Sequence, residues 1–294
     1  MSEEVFPREI ADKIFWINQC MGAGSKDHPV HLHLSLFLLR GDNHTMLVDT
    51  SMQALWPSIE LQLDRVLAGR TLDYLFVTHP ELPHSAALPL LLKKYPDMKV
   101  VGDMRDYHVF FPEHAHRFHH KVPADVMDLG DLKVTFIDGV IKDLPGTLWA
   151  YESTRQAMFV CDGFSFTHES PVRLDPQGLS IDGQDFDDDD EDAPYHAPGD
   201  CALTSSEITG GIDVDKATYL LTRALYFARF VDADKLFADI EGTFFENWPT
   251  KLVCPSHGNV IDNLDAVTPI IKQSHVNAHK IATAEKKPSI AAPR

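Results

Sequence analysis

The segment Tyr74–Pro89, YLFVTHPELPHSAALP, constrains this chain more than any other stretch. An apolar run of strand length ends at Thr78, and His79, Glu81 and His84 follow at once. Side chains at the end of a buried strand are held rigidly and face the crevice where α/β proteins bind ligands. Imidazole and carboxylate together suit zinc, iron or manganese and disfavour copper(I). The spacing HxExxH differs from the HExxH of zinc proteases, whose two histidines lie one turn apart on a helix. Pro80 and Pro83 fall inside the segment. They predict a loop in place of an ordinary helix, with the ligands set by loop geometry.

Two later segments repeat the order of strand, candidate ligand and glycine. In AMFVCDGF, Asp162 ends an apolar run before Gly163; in KLVCPSHG, His257 does so before Gly258. Taken singly, Asp162 reads equally well as a turn cap and His257 as a hydrogen-bonded core histidine. Three strand-end clusters of His, Asp and Glu in one chain point to a metal centre assembled from several strands.

The elements around these clusters alternate. Strands are expected at Lys13–Asn18, Leu32–Leu39, Thr45–Asp49, Tyr74–Thr78 and Met98–Gly102, and helices at Leu55–Ala68 and His84–Tyr95. Hairpins follow at Met127–Asp138 and Thr147–Asp162, then helices at Lys216–Phe230 and Asp232–Asn247, and a strand at Lys251–Cys254. The pattern is two β-rich halves, each finished by helices, which implies helices packed against sheets. The principal domain is expected over residues 1–265, with a helix and a polar tail over 266–294. The acidic block at Asp185–Pro194 reads as solvated loop.

With 26 basic and 44 acidic residues the formal charge is −18, which argues against nucleic acid or an anionic membrane surface as a partner. The acidic N-terminus lacks the features of a secretory signal, and no apolar run has the length of a membrane span. The four cysteines, Cys20, Cys161, Cys201 and Cys254, form no CxxC pair. They are expected to be free, mostly structural thiols of a cytoplasmic protein. The histidines in YHVFFPEHAHRFHH, from His108 to His120, read as a partly exposed loop. His31 and His33 alternate on one strand as candidate outer-shell donors.

These motifs in this order resemble the metallo-β-lactamase superfamily, and its flavodiiron branch more than its hydrolase branch. The residues that carry the resemblance are LVDT at Leu47–Thr50, THPELPH at Thr78–His84, DLPGTLWAY at Asp143–Tyr151, CDGF at Cys161–Phe164 and PSHG at Pro255–Gly258. Glu81 stands where the hydrolases carry the middle His of THxHxDH. The resemblance implies an αββα sandwich. It implies that His79 and Glu81 ligate one metal, that Asp162 bridges two, and that His84 and His257 hold the second. This sequence departs from the pattern twice. Pro83 replaces a ligating Asp, which strips one donor from the second metal. Asp143 replaces the His of the middle loop, a change toward harder metals.

By this resemblance the expected cofactor is iron, mononuclear or dinuclear, with zinc or manganese as alternatives. The expected function is binding or activation of oxygen or a related small molecule. The tail after His257 is too short for the family's flavodoxin-like domain, so electrons are expected from a separate donor protein, and a homodimer is compatible. A metal-dependent hydrolase is the rival reading, in which a metal lowers the pKa of bound water to about 7. An oxygen-binding or sensor protein without turnover is the third.

Overall fold

The computed structural model describes residues 6–25, 28–169, 200–223 and 225–284. The strands among these residues are β1 (Arg8–Ala11), β2 (Ile14–Ser25), β3 (His28–Arg40), β4 (Thr45–Val48), β5 (Tyr74–Val77), β6 (Lys99–Gly102), β7 (Phe118–His120), β8 (Val126–Asp128), β9 (Lys133–Asp138), β10 (Leu148–Glu152), β11 (Ala157–Cys161), β12 (His168–Glu169) and β13 (Leu252–Pro255). One sheet runs β1-β2-β3-β4-β5-β6-β7, with β12 pairing on β3. The other runs β13-β11-β10-β9-β8.

Side-chain alternation explains why the sheets stack. On β2, Ile14 and Trp16 join Phe37, Phe76, Phe136 and Phe159 in a core between the two sheets. Phe15 and Ile17, one residue out of phase, pack with Leu34, Leu36 and Leu38 against Ile59, Leu63, Leu88 and Leu91. These last four lie on helices Trp56–Leu67 and Leu88–Lys94. The outer face of the second sheet is covered in the same way by Ala217, Leu221, Phe237, Val267 and Ile271. The result is the expected αββα sandwich. Helix Leu264–Ala284 buries Val267, Ile271 and Ala278 in that outer core, so it packs on the sandwich.

Several elements differ from the sequence reading. The opening strand is far longer than Lys13–Asn18, because β2 and β3 form one hairpin in register from Ile14↔Leu39 to Ser25↔His28. The helix expected over His84–Tyr95 is broken into Leu82–Ser85 and Leu88–Lys94. Pro89 sits at the start of the second piece, where its missing N–H costs no helical hydrogen bond. For the same reason Pro83 is tolerated in the first turn of Leu82–Ser85, so His84 rides on a helical turn and not in the loop expected. The helix expected over Lys216–Phe230 ends at Arg223 and gives way to a 3-10 stretch at Tyr226–Phe230. The histidine-rich stretch contains a helical turn, Tyr107–Phe110, a 3-10 turn, Pro112–Arg117, and β7. The acidic block at 185–194 lies outside the described residues.

Candidate metal centre

Four strands of two sheets end at one place. β4 and β5 are parallel neighbours in one sheet, and β11 and β13 in the other. Their C-terminal ends deliver Asp49, His79, Asp162 and His257. Asp143 comes from the loop between β9 and β10, which is tied down where the Leu148 amide donates to the Thr78 carbonyl (3.1 Å). The structure thus brings together all six residues expected from the sequence.

Their donor atoms divide into two sets. His79 Nε2 lies 3.4 Å from Glu81 Oε2, 3.8 Å from Asp143 Oδ1 and 3.4 Å from Asp162 Oδ2. The other oxygen of Asp162, Oδ1, lies 3.3 Å from His84 Nε2 and 3.2 Å from His257 Nε2. Ligands at about 2.0–2.2 Å from a shared cation stand about 3.0–3.5 Å from one another, and most of these separations are of that size. Asp162 faces both sets with one oxygen each. His84 Nε2, Asp162 Oδ1 and Asp143 Oδ1 are buried and make no hydrogen bond. Orphaned polar atoms are rare in folded proteins, and a bound cation is their natural partner here. The first set has four donors. The second has three, because Pro83 offers none.

A second layer aims the imidazoles. His257 Nδ1 donates to the His33 carbonyl at 2.7 Å, which leaves Nε2 free to ligate. His84 Nδ1 pairs with Asp49 Oδ2 at 2.7 Å. Asp49 also accepts from the Thr78 amide (2.9 Å), the Thr78 hydroxyl (2.8 Å) and the Ser256 hydroxyl (3.2 Å). His79 Nδ1 lies 2.9 Å from Cys161 Sγ, and Thr78 Oγ1 lies 3.1 Å from the same sulfur. Sequence reasoning placed Asp49 in a motif without giving it a task, and read Cys161 as a structural thiol. The one signal for Cys161 was its position directly before Asp162. His33 serves the centre through its carbonyl; His31's side chain lies outside the described residues. His108, His116, His119 and His120 are exposed and join neither donor set.

The electrostatics follow from burial and crowding. Burial disfavours charge on Asp162, yet His84 and His257 hold its carboxyl well below the ordinary range. Burial likewise opposes charge on His84 and His79. Against it, the Cys161 sulfur and nearby carboxylates raise His84 well above an ordinary imidazole, and the sulfur with Glu81 raises His79 to about 10. Hydrogen bonding to His79 lowers Glu81. Burial, with Asp162 and Glu81 adding negative charge, raises Asp143. Without a cation, the centre favours protons on His79 and His84 to balance its carboxylates, and a metal would displace them.

The glycines that follow Asp162 and His257 have steric reasons. A Cβ on Gly163 would stand 2.5 Å from the fully buried Trp149 ring. Gly258 has φ +108°, and a Cβ there would meet the Phe166 ring at 2.8 Å. Asp49, Ser51, Cys161 and Phe164 also have positive φ, between 55° and 62°. Such backbone costs of order 1–3 kcal/mol per residue and clusters at functional sites.

Comparison with known proteins agrees with this architecture. The metallo-beta-lactamase superfamily matches over residues 33–206. A putative diflavin flavoprotein A 2 of Synechocystis is 35% identical over 152 residues, covering 48% of this chain and 26% of that protein. A nitric oxide reductase of Moorella thermoacetica is 24% identical over 204 residues, covering 65% of this chain and 49% of that protein. This chain therefore spans about a quarter to a half of the length of these relatives. The solved structure of rubredoxin oxygen:oxidoreductase from Desulfovibrio gigas superposes with a TM-score of 0.64 at 18% identity, covering 92% of this chain and 61% of that one. Other solved structures that superpose are named flavo-diiron proteins, from Thermotoga maritima and Giardia intestinalis. By its strand-end motifs, its sandwich and this match, the chain belongs to the metallo-β-lactamase superfamily.

Proposed function

We propose that this protein is a non-haem iron oxidoreductase that reduces oxygen or nitric oxide, using electrons from a separate donor protein. The observation that carries this reading is the donor set itself: two histidine-carboxylate clusters sharing Asp162, one of them with three carboxylates. Hard oxygen donors favour iron or manganese over softer metals and stabilise the higher oxidation state of iron. The relatives named as a nitric oxide reductase and an oxygen oxidoreductase support the choice of substrate.

The residues divide the work. His79, Glu81, Asp143 and Asp162 would hold the first iron, and Asp162, His84 and His257 a second, more weakly held one. Iron at these positions would supply the electrons and the open coordination site that a diatomic molecule needs. Asp49 and the His33 carbonyl keep His84 and His257 in the ligating tautomer. Glu81, with 47% of its side chain exposed, marks the open side of the centre. Beside it lies a cleft of about 730 Å³ lined by Pro80, Leu82, Phe110, Leu144 and Pro145. Asp103, Arg105 and Asp106 also line it, so the cleft presents charged as well as apolar groups.

The test is elemental analysis of protein made with iron and purified without oxygen, followed by gas-consumption assays with a chemically reduced donor. Bound iron with consumption of oxygen or nitric oxide supports the proposal. Zinc alone, with no gas consumption, overturns it in favour of metal-assisted hydrolysis. No helix among the described residues is long and apolar enough to cross a membrane.

A further inference from the structure

A second cluster of metal-binding side chains sits apart from the donor sets above. Cys20 on β2 and His33 on β3 are direct cross-strand partners, so their side chains emerge together on one face of the sheet. That face is the one turned toward the other sheet, because Cys20 lies in phase with Trp16, and His33 with Phe37. Cys201 arrives from the 3-10 turn Asp200–Ala202. One donor atom from each of Cys20, His33 and Cys201 lies within 4.8 Å of the others. His33 is fully buried, Cys20 nearly so, and Cys201 partly.

The surroundings are built rather than incidental. The layer between the sheets carries a polar chain here. Trp16 Nε1 donates to Ser35 Oγ (2.8 Å), Ser35 Oγ donates to Asn18 Oδ1 (3.4 Å), and Asn18 Nδ2 donates to Cys20 Sγ (3.1 Å). The turn that carries Cys201 is held from both sides. Asn259 Nδ2 donates to the Leu203 carbonyl at 2.8 Å, and the Arg8 guanidinium donates to the Ala202 carbonyl. Three candidate ligands thus come from three elements, each fixed by its own contacts.

We propose that Cys20, His33 and Cys201 form a zinc site. Two thiolates and an imidazole prefer zinc to a hard cation, the reverse of the preference of the carboxylate-rich centre. Three protein ligands leave the fourth tetrahedral position to water. Binding exchanges the two thiol protons for one Zn²⁺, with no change of oxidation state. The ion would staple the turn at 200–202 to β2 and β3. It would also stiffen the backbone of His33, whose carbonyl orients His257 at 2.7 Å. This site is independent of the iron reading.

The test uses Co²⁺ as a spectroscopic stand-in for zinc, on the full chain, metal-depleted and reduced. The expected result is a thiolate-to-cobalt charge-transfer band that saturates at one equivalent and is bleached by Zn²⁺. The band should be lost in Cys20→Ser and in Cys201→Ser and kept in Cys161→Ser, whose sulfur belongs to the other centre. Cys201→Ser lies in a partly exposed turn, and circular dichroism checks that it folds. A second measurement needs no variant: Zn²⁺ should shield Cys20 and Cys201 from iodoacetamide, read by peptide mass. No band in the wild type, or a band lost only in Cys161→Ser, overturns the proposal. So does labelling of both cysteines that zinc leaves unchanged.

Discussion

Asp49 ligates nothing in either donor set, yet its replacement should separate the two metal positions. Asp49 is 1% exposed, and its carboxylate receives His84 Nδ1, the Thr78 amide and hydroxyl, and the Ser256 hydroxyl. Asp49→Asn keeps the shape, and Asn tolerates the local φ of 62°. One amide oxygen can still accept from Thr78. The NH₂ group, however, now faces His84 Nδ1 and can only donate. His84 must then carry its proton on Nε2, the atom needed by the metal. Loss of an outer carboxylate partner of a metal-bound histidine typically costs 10–100-fold in affinity, which is about 1.4–2.7 kcal/mol. The expected outcome is a drop of that size for the metal held by His84 and His257, with the His79–Glu81–Asp143 position little changed. Chelator competition, monitored as stepwise release of metal, reads the two positions separately. Equal weakening of both, or of neither, would refute the reasoning.

Other substitutions test the rest of the site. His79→Ala and His257→Ala should each markedly lower iron content, and full occupancy in folded variants would sink the assignment. Pro83→Asp supplies the donor that the three-ligand position lacks and should raise its occupancy, read as iron per chain; no gain would mean that another group already fills the position. Gly258→Ala places a methyl 2.8 Å from a buried ring at φ +108°. It should cost at least about 2 kcal/mol from overpacking and backbone strain, and an unchanged urea midpoint would contradict this. The Arg8 guanidinium, then the Thr204 amide, hold the Glu207 carboxyl down at about 2. A depressed acid stabilises the fold above its ordinary pKa of about 4.3 and loses that effect as pH falls toward 2. The stability difference between wild type and Glu207→Gln should therefore shrink over that window. A difference that grows on acidification would reverse the argument. Its size should be small, because the pair is exposed.

The sequence by itself determined the pieces that depend on local order. Continuous apolar runs specified which strands have two buried faces, and prolines and glycines marked where they stop. Hence the β5 segment, the β9 and β10–β11 hairpins and the identity of His79, Glu81, Asp162 and His257 as strand-end residues were legible along the chain. Asp143 was legible only by motif register, since nothing in its own neighbourhood distinguishes it from a turn aspartate. The length of the β2–β3 hairpin was not legible, because GAGS and HPV carry turn residues that local rules assign to a loop, and cross-strand pairing overrides them. The tertiary structure alone decided what faces what. Asp49 became the partner of His84, Cys161 the neighbour of His79, and the His33 carbonyl the anchor of His257 through contacts spanning 35, 82 and 224 residues of chain. Cys201 joined Cys20 and His33 by the same route. Spacing along a chain constrains a side chain's neighbours over a turn or a hairpin, but stacked sheets bring together residues whose separation in sequence carries no record of the contact.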